Sequence, residues 1–222
     1  GLQLETQFRY LTERHEGMLT ADYLPDDSIV NDTRRQLNYG HRTLWQNGWR
    51  NRISFREVSD SQYFEDLGGN LSISSITHLN RHVSFDYYSE HVSFFAQAQD
   101  YQTIDDAIVA ADEPYRRLPP VLVSANWPTS FLLLGIDSEL VNFDRDTGVT
   151  VWRFNASPSV EIPIKRAGWF VTPAVAMDYT RYDLADTLPG ADTDPTRSVP
   201  VTSLDTGIVL ERTMSSASRI QT

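Results

Sequence analysis

Stretches in which apolar and polar residues alternate constrain the fold of this chain more than any other feature. In residues 49–56, Trp49, Ile53 and Phe55 occupy every second position, with Asn51 as the exception. The intervening residues are Arg50, Arg52, Ser54 and Arg56. Successive side chains of a strand point to opposite faces, so this pattern predicts a strand with one apolar and one polar face. Many such strands predict a β-structure whose polar face meets water, as the lumen of a large barrel does.

The alternation predicts eleven strands, and no helical periodicity of comparable clarity interrupts them. Their ranges are 2–11, 18–24, 35–45, 49–58, 76–88, 91–102, 120–127, 131–143, 149–164, 169–182 and 199–212. The short connectors are 12–17, 46–48, 89–90, 128–130 and 165–168, and they alternate with mostly longer ones at 25–34, 59–75, 103–119, 144–148 and 183–198. Short turns on one side and longer loops on the other are typical of an outer-membrane barrel.

Four of the five tryptophans lie beside the predicted short turns. They are Trp45, Trp49, Trp127 and Trp169. A ring of tryptophans at one level predicts an aromatic girdle at a membrane interface. The alternative is that these residues cap strand ends, as tryptophans also do in a soluble β-sandwich.

Composition excludes several classes of protein. The net charge of −11 and the isoelectric point of about 4.8 argue against a nucleic-acid-binding protein, because such proteins need a basic surface to neutralise phosphates. No run of about 18 apolar residues is present, so the sequence predicts no transmembrane helix. The chain has no cysteine, which excludes disulfides and thiolate metal sites. No signal peptide is recognisable, and the chain starts in mid-pattern, so we expect a processed protein or part of a longer one.

Acidic residues concentrate in the five mostly longer connectors, which hold 16 of the 30 acids. General loop polarity explains most of this bias. The alternative is an acidic rim that meets divalent cations bridging lipid phosphates.

Motifs for catalysis or cofactor binding are absent from the sequence. His78 and His82 fall on one predicted strand face and His91 follows the next turn, but a polar lumen explains them better than a metal site. Carboxylate pairs such as Asp105 and Asp106 lie in loops without a visible orienting partner, although a glycosidase needs no local motif. We therefore predict no catalytic residue, no cofactor and no metal ligand.

Six segments occur in an order and spacing that cover nearly the whole chain. They are FRYL at 8–11, DYLPD at 22–26, VSDSQYF at 58–64, PYRRLP at 114–119, WRFN at 152–155 and SVPVTSLDTG at 198–207. In combination they resemble the barrel domain of the lipopolysaccharide-assembly family LptD. This resemblance implies an all-β fold, an antiparallel up-and-down transmembrane β-barrel segment of about eleven strands.

The resemblance also implies a function and partners. LptD proteins insert lipopolysaccharide into the outer leaflet of the Gram-negative outer membrane together with a plug lipoprotein, LptE, and they receive lipid from the periplasmic Lpt bridge. The family barrel has about twenty-six strands and follows a periplasmic jellyroll. By this resemblance, residues 1–222 form part of one barrel domain, and the jellyroll, both gate strands, the C-terminal half and the family's disulfide cysteines lie outside them. The segment is then expected to be barrel wall without catalysis.

Two alternatives remain open at the level of sequence. One is a different outer-membrane barrel, such as a porin or a small-solute transporter. The other is a soluble β-sandwich such as a carbohydrate-binding module, which has strands of similar length and patterning.

Overall fold

A computed structural model describes residues 2–28, 30–68, 76–109, 112, 115–144, 148–185, 187 and 189–210. The strands are β1 (Leu4–Leu11), β2 (His15–Asp27), β3 (Asp32–Leu44), β4 (Trp49–Val58), β5 (His78–Tyr88), β6 (Val92–Thr103), β7 (Arg116–Arg117), β8 (Val121–Pro128), β9 (Leu133–Asp144), β10 (Thr150–Glu161), β11 (Ile164–Arg166), β12 (Trp169–Ala185) and β13 (Thr196–Ile208). One short helix, α1, spans Tyr63–Leu67.

The strands form one antiparallel sheet in which each long strand pairs with its neighbours in sequence. β7 and β8 lie between the same two neighbours, β6 and β9, and together form one strand interrupted at Pro119 and Pro120. β10 and β11 both pair with β12 and are separated by Pro163. Counted this way, the up-and-down meander has eleven strands, and the predicted all-β fold is confirmed. The described residues form a single sheet rather than two packed layers, so the sandwich alternative is wrong.

The predicted asymmetry between the two edges of the sheet is present. The connections at 12–14, 45–48, 89–91, 129–132 and 167–168 lie at one edge and have two to four residues each. The opposite edge carries mostly longer connections, of which 59–77 is the longest. The predicted loop at 25–34 is wrong, because β2 and β3 extend through most of it and leave a four-residue turn in which Asn31 has φ 58°. Asn tolerates this left-handed conformation better than most residues.

The first part of the longest connection, residues 59–68, folds back over the sheet, which the sequence did not predict. Tyr63 and Phe64 of α1 are buried together with Val58, Leu79 and Ile104. Phe64 also lines a cleft with residues of β2, β3 and β4. A five-residue helix is too short to show amphipathic periodicity, so this element has no signal in the sequence.

Arg34 ties this connection to the sheet. Its guanidinium donates to Asp27 at 3.1 Å, to Asp60 at 2.7 and 3.0 Å, and to Asp66 at 2.8 Å. It also lies 5.4 Å from the centre of the Tyr63 ring. Burial, with the Asp22 carboxylate nearby, raises the pKa of Tyr63 to about 12, so the ring stays neutral beside the cation. Arg34 is 1% exposed, and it is stable there because carboxylates surround it.

A side-chain amide bridges the sheet where β4 and β5 separate. Their ladder ends at Ser54 and His82, four residues before Val58. Gln102 of β6 donates to the Val58 carbonyl at 2.7 Å and accepts from the Val58 amide at 3.1 Å. The amide thereby replaces the missing strand partner of Val58, whose backbone groups are otherwise buried and unpaired.

Two glycines in neighbouring strands differ in what faces them, and this difference predicts opposite responses to alanine. A Cβ on Gly17 would collide with the ring of Tyr10, whose hydroxyl is bonded to Tyr39 and His41. We expect Gly17→Ala to destabilise the sheet by about 1–3 kcal/mol through overpacking. Nothing lies within 4 Å of a Cβ on Gly40, so Gly40→Ala is expected to be neutral or slightly stabilising. The stability of both variants can be measured in the full-length protein by urea titration, with the difference in gel mobility between heated and unheated samples as the readout. Equal effects of the two substitutions would contradict the packing explanation.

Loss of Arg34 is expected to free the 59–77 connection. Arg34→Gln leaves the carboxylate of Asp27 buried without its cation, a change that typically costs about 3–5 kcal/mol. Chymotrypsin should then cleave faster after Tyr63 and Phe64 in the full-length protein, and this protease does not depend on arginine. Arg35→Gln is the matched control, because Arg35 is exposed and its ion pair with Glu57, at 3.7 Å, contributes little to stability. Unchanged cleavage in Arg34→Gln would show that the ion cluster does not hold the connection.

Candidate functional site

The two faces of the sheet are the candidate functional surfaces, and strand register assigns each residue to one of them. Directly paired residues share a face, so the pairs can be followed from β1 to β13. The apolar face includes Leu4, Phe8, Ile53, Phe55, Val83, Phe85, Phe94, Val123, Ile136, Leu140, Phe154, Val175 and Leu204. Many of these side chains are exposed, including Phe8 at 58% and Val175 at 55%. A largely apolar exposed surface of this kind favours a nonpolar environment, such as a bilayer provides.

The opposite face is polar and carries the clefts. Its residues include Gln7, Arg9, Arg42, Arg52, Gln97, Asp137, Glu139, Asn155 and Asp178. Clefts of about 630 and 310 Å³ are lined from this side. Asn155 donates to Asp178 at 2.6 Å and to Thr180 at 3.0 Å, and Arg153 pairs with Glu139. The charged groups of this face thus bind one another or meet water, because a buried charge without a partner is unstable.

A small apolar patch interrupts the polar face. Tyr88, Phe95 and Leu122 line the smaller cleft, and Tyr88 is 54% exposed. Phe95 is the residue that breaks the alternation of β6, and this irregularity was the only signal in the sequence. An exposed apolar patch on a polar surface is typical of a contact with another protein.

The four predicted girdle tryptophans all lie on the apolar face at the edge with short turns. Trp49, Trp127 and Trp169 begin or end strands there and pair with Tyr87, Leu134 and Ile208. Trp45 follows β3 and stacks on Phe85 with ring centres 6.3 Å apart. The fifth tryptophan, Trp152, is on the same face but near the opposite edge. Trp45, Trp127 and Trp169 are exposed and Trp49 is half-buried; their position at one edge is compatible with an interfacial belt, and the girdle stays a prediction.

The histidines are distributed between the faces. His82 lines the larger cleft, and the His78 ring bonds the hydroxyl of Thr77 at 2.8 Å. In the parts of the chain that the structure describes, no group of three or more His, Asp or Glu is arranged to hold a metal ion. A separate polar cluster on the apolar face was not predicted from the sequence. It consists of Tyr10, His15, Tyr39, His41 and Thr43, joined by hydrogen bonds.

Some acids of the predicted long connections have partners within the protein. Asp27, Asp60 and Asp66 surround Arg34, and Asp106 accepts from Ser61 at 2.8 Å. Three others, Glu113, Asp146 and Asp186, lie outside the described residues. At least part of the acidic excess therefore binds a buried arginine instead of facing solvent.

Comparison with known proteins gives a consistent family. The family profile LptD, described as LPS transport system D, matches residues 32–222. The LPS-assembly protein LptD of Nitrosococcus oceani is 36% identical over 218 residues, which cover 96% of this chain and 30% of that protein. The proteins of the same name from Nitrosomonas eutropha and an Azoarcus species are 35% and 36% identical, and the matches cover 96% of this chain and 31% and 27% of theirs.

The described helix is too short and too polar to cross a membrane. The chain spans less than a third of the length of these three relatives. The profile match nevertheless covers most of the chain, and the identity extends along nearly all of it. The chain therefore belongs to the LptD family of LPS-assembly proteins.

Proposed function

We propose that residues 1–222 form part of one outer-membrane β-barrel domain in a longer protein that inserts lipopolysaccharide into the outer leaflet. The observation that carries this proposal is the two-faced sheet of eleven antiparallel strands, apolar on one side and polar on the other. Such a sheet can stand in lipid only as part of a closed barrel, because an open edge leaves backbone groups unpaired. In the described residues β1 pairs only with β2 and β13 only with β12, so the remaining strands of the protein complete the wall.

The polar face is the lumen wall in this proposal. It holds water and contacts a plug protein, for which the lipoprotein LptE is the candidate. The exposed apolar patch of Tyr88, Phe95 and Leu122 supports a protein contact, since water alone does not favour such a surface. Lipopolysaccharide and the periplasmic Lpt bridge are the other proposed partners.

The segment provides wall and contact surface, not catalysis. Two inner-face carboxylates are engaged by arginines: Asp86 lies 2.7 Å from Arg50, and Glu139 pairs with Arg153. Both carboxylates are thus part of ion pairs within the sheet, which is the arrangement expected of a structural wall. No cofactor is needed for a wall of this kind.

Spin labels on one strand test the membrane placement and the girdle together. In the full-length protein in lipid bilayers, a label at Val175 should be accessible to oxygen and shielded from a water-soluble nickel chelate. A label at Ala176, on the opposite face, should show the reverse. A label at Trp169 should report headgroup depth, because six residues of tilted strand correspond to about 14 Å along the bilayer normal. Equal nickel accessibility at Val175 and Ala176 would contradict the barrel.

Depletion of the full-length protein in its source bacterium tests the function. Newly made lipopolysaccharide should fail to reach the cell surface, measured by its accessibility to a surface-acting modifying enzyme, and should accumulate inside. A plasmid copy should restore surface delivery. Normal surface lipopolysaccharide combined with a loss of small-solute uptake would instead establish the porin alternative.

A further inference from the structure

The larger cleft on the polar face is lined by a group of cations, although the chain as a whole carries a net charge of −11. Arg9, Arg42 and Arg52 line it, and Glu16 is the acid among its lining residues. A concentration of positive charge in a strongly acidic protein marks a local surface with a different ligand preference.

Two of these cations oppose each other directly. Arg42 of β3 and Arg52 of β4 are cross-strand partners in the register. Side chains at such positions start about 5 Å apart, and like charges there destabilise a sheet. The arginine pair therefore costs stability at this position, and such local costs are typical of binding sites.

Nearby acids do not neutralise the group. Glu16 lies 2.9 Å from Arg42, but both side chains are about half exposed and such a pair contributes little. Asp86 lies 2.7 Å from Arg50 and 3.5 Å from Arg52, so one carboxylate serves two guanidinium groups. In the described part of the chain, Arg9 is exposed and forms no ion pair.

The floor of the cleft is open. The row next to the arginine pair contains Gly40 and Ser54, which are partners in the register. Nothing lies within 4 Å of a Cβ on Gly40. Small residues beside long cationic ones leave room for a ligand atom group between the guanidinium forks.

We propose that Arg9, Arg42 and Arg52 form a binding site for phosphate groups carried on a sugar. Guanidinium forks match phosphate geometry and bind it bidentately, which a single lysine does not. The proposal rests on the proposed function, because there the phosphorylated headgroup of lipopolysaccharide is the anion that contacts the lumen wall. Free phosphate shares this chemistry, and the experiment separates the two sources.

The test measures binding to the full-length protein in nanodiscs with three probes: lipopolysaccharide, enzymatically dephosphorylated lipopolysaccharide and inorganic phosphate. The double variant Arg42→Gln and Arg52→Gln should bind lipopolysaccharide at least about tenfold more weakly. Its affinity for the dephosphorylated form should stay unchanged. Its stability should equal or exceed that of the parent, because the substitution removes a repulsive pair.

Arg197→Gln is the matched control. Arg197 lies on the same face at the far end of the sheet, is exposed, and forms an ion pair with Asp178 at 3.5 Å. It should bind all three probes like the parent. Competition by millimolar phosphate would identify the phosphate group itself as the ligand; phosphate-dependent binding without such competition would identify the phosphorylated sugar.

Two outcomes would contradict the arginine site and the proposed function separately. Parent-like binding of lipopolysaccharide by the double variant, or an equal loss for both forms, would remove the site and leave the proposed function intact. A parent protein that binds free phosphate through these arginines but neither form of lipopolysaccharide would keep the site and remove the proposed function.

Discussion

Antiparallel register is the constraint on which the rest of the structure depends. Because side chains alternate with a period of two, a slip of one residue would move every apolar side chain to the polar face. The pairing is therefore continuous from Leu4 to Ile208, and its interruptions are repaired locally. The break before Val58 is bridged by Gln102, and the Pro163 gap is bridged by a bond from Ile162 to Pro173. A sheet that meets lipid on one side leaves no water there to pair such groups.

The part of the fold that follows from this period could be predicted from the sequence. The eleven strands, the five tight turns and the polarity of each face are local properties, visible in segments such as 49–56. The loop expected at 25–34 was wrong because the ladder between β2 and β3 continues through most of this polar segment. The bonds that tie helix α1 to the sheet join Arg34 to Asp60 and Asp66, which are 26 and 32 residues away, and no local pattern encodes them.

The candidate surfaces show the same limit. The positions of Trp45, Trp49, Trp127 and Trp169 at the short-turn edge follow from strand ends, which sequence patterns locate well. The cationic cleft does not, because Arg9, Arg42 and Arg52 belong to three strands and meet only through the register. The net charge of −11 did not indicate the cleft either, because it describes the whole chain, whereas the sheet brings positive side chains together at one place.

The bridge between Gln102 and Val58 has an evolutionary consequence. The amide completes the backbone bonding of β4 before residue 59, so the wall is finished before the long connection starts. Residues 69–77, which follow α1, can therefore lengthen, shorten or diverge among homologues without moving the pairing of His78–Tyr88, whereas Asp60 and Asp66 are tied to the sheet through Arg34. Variation in this part of the connection is therefore independent of the strand pairing. Related proteins can then differ in the surface that this connection presents while they share the same sheet.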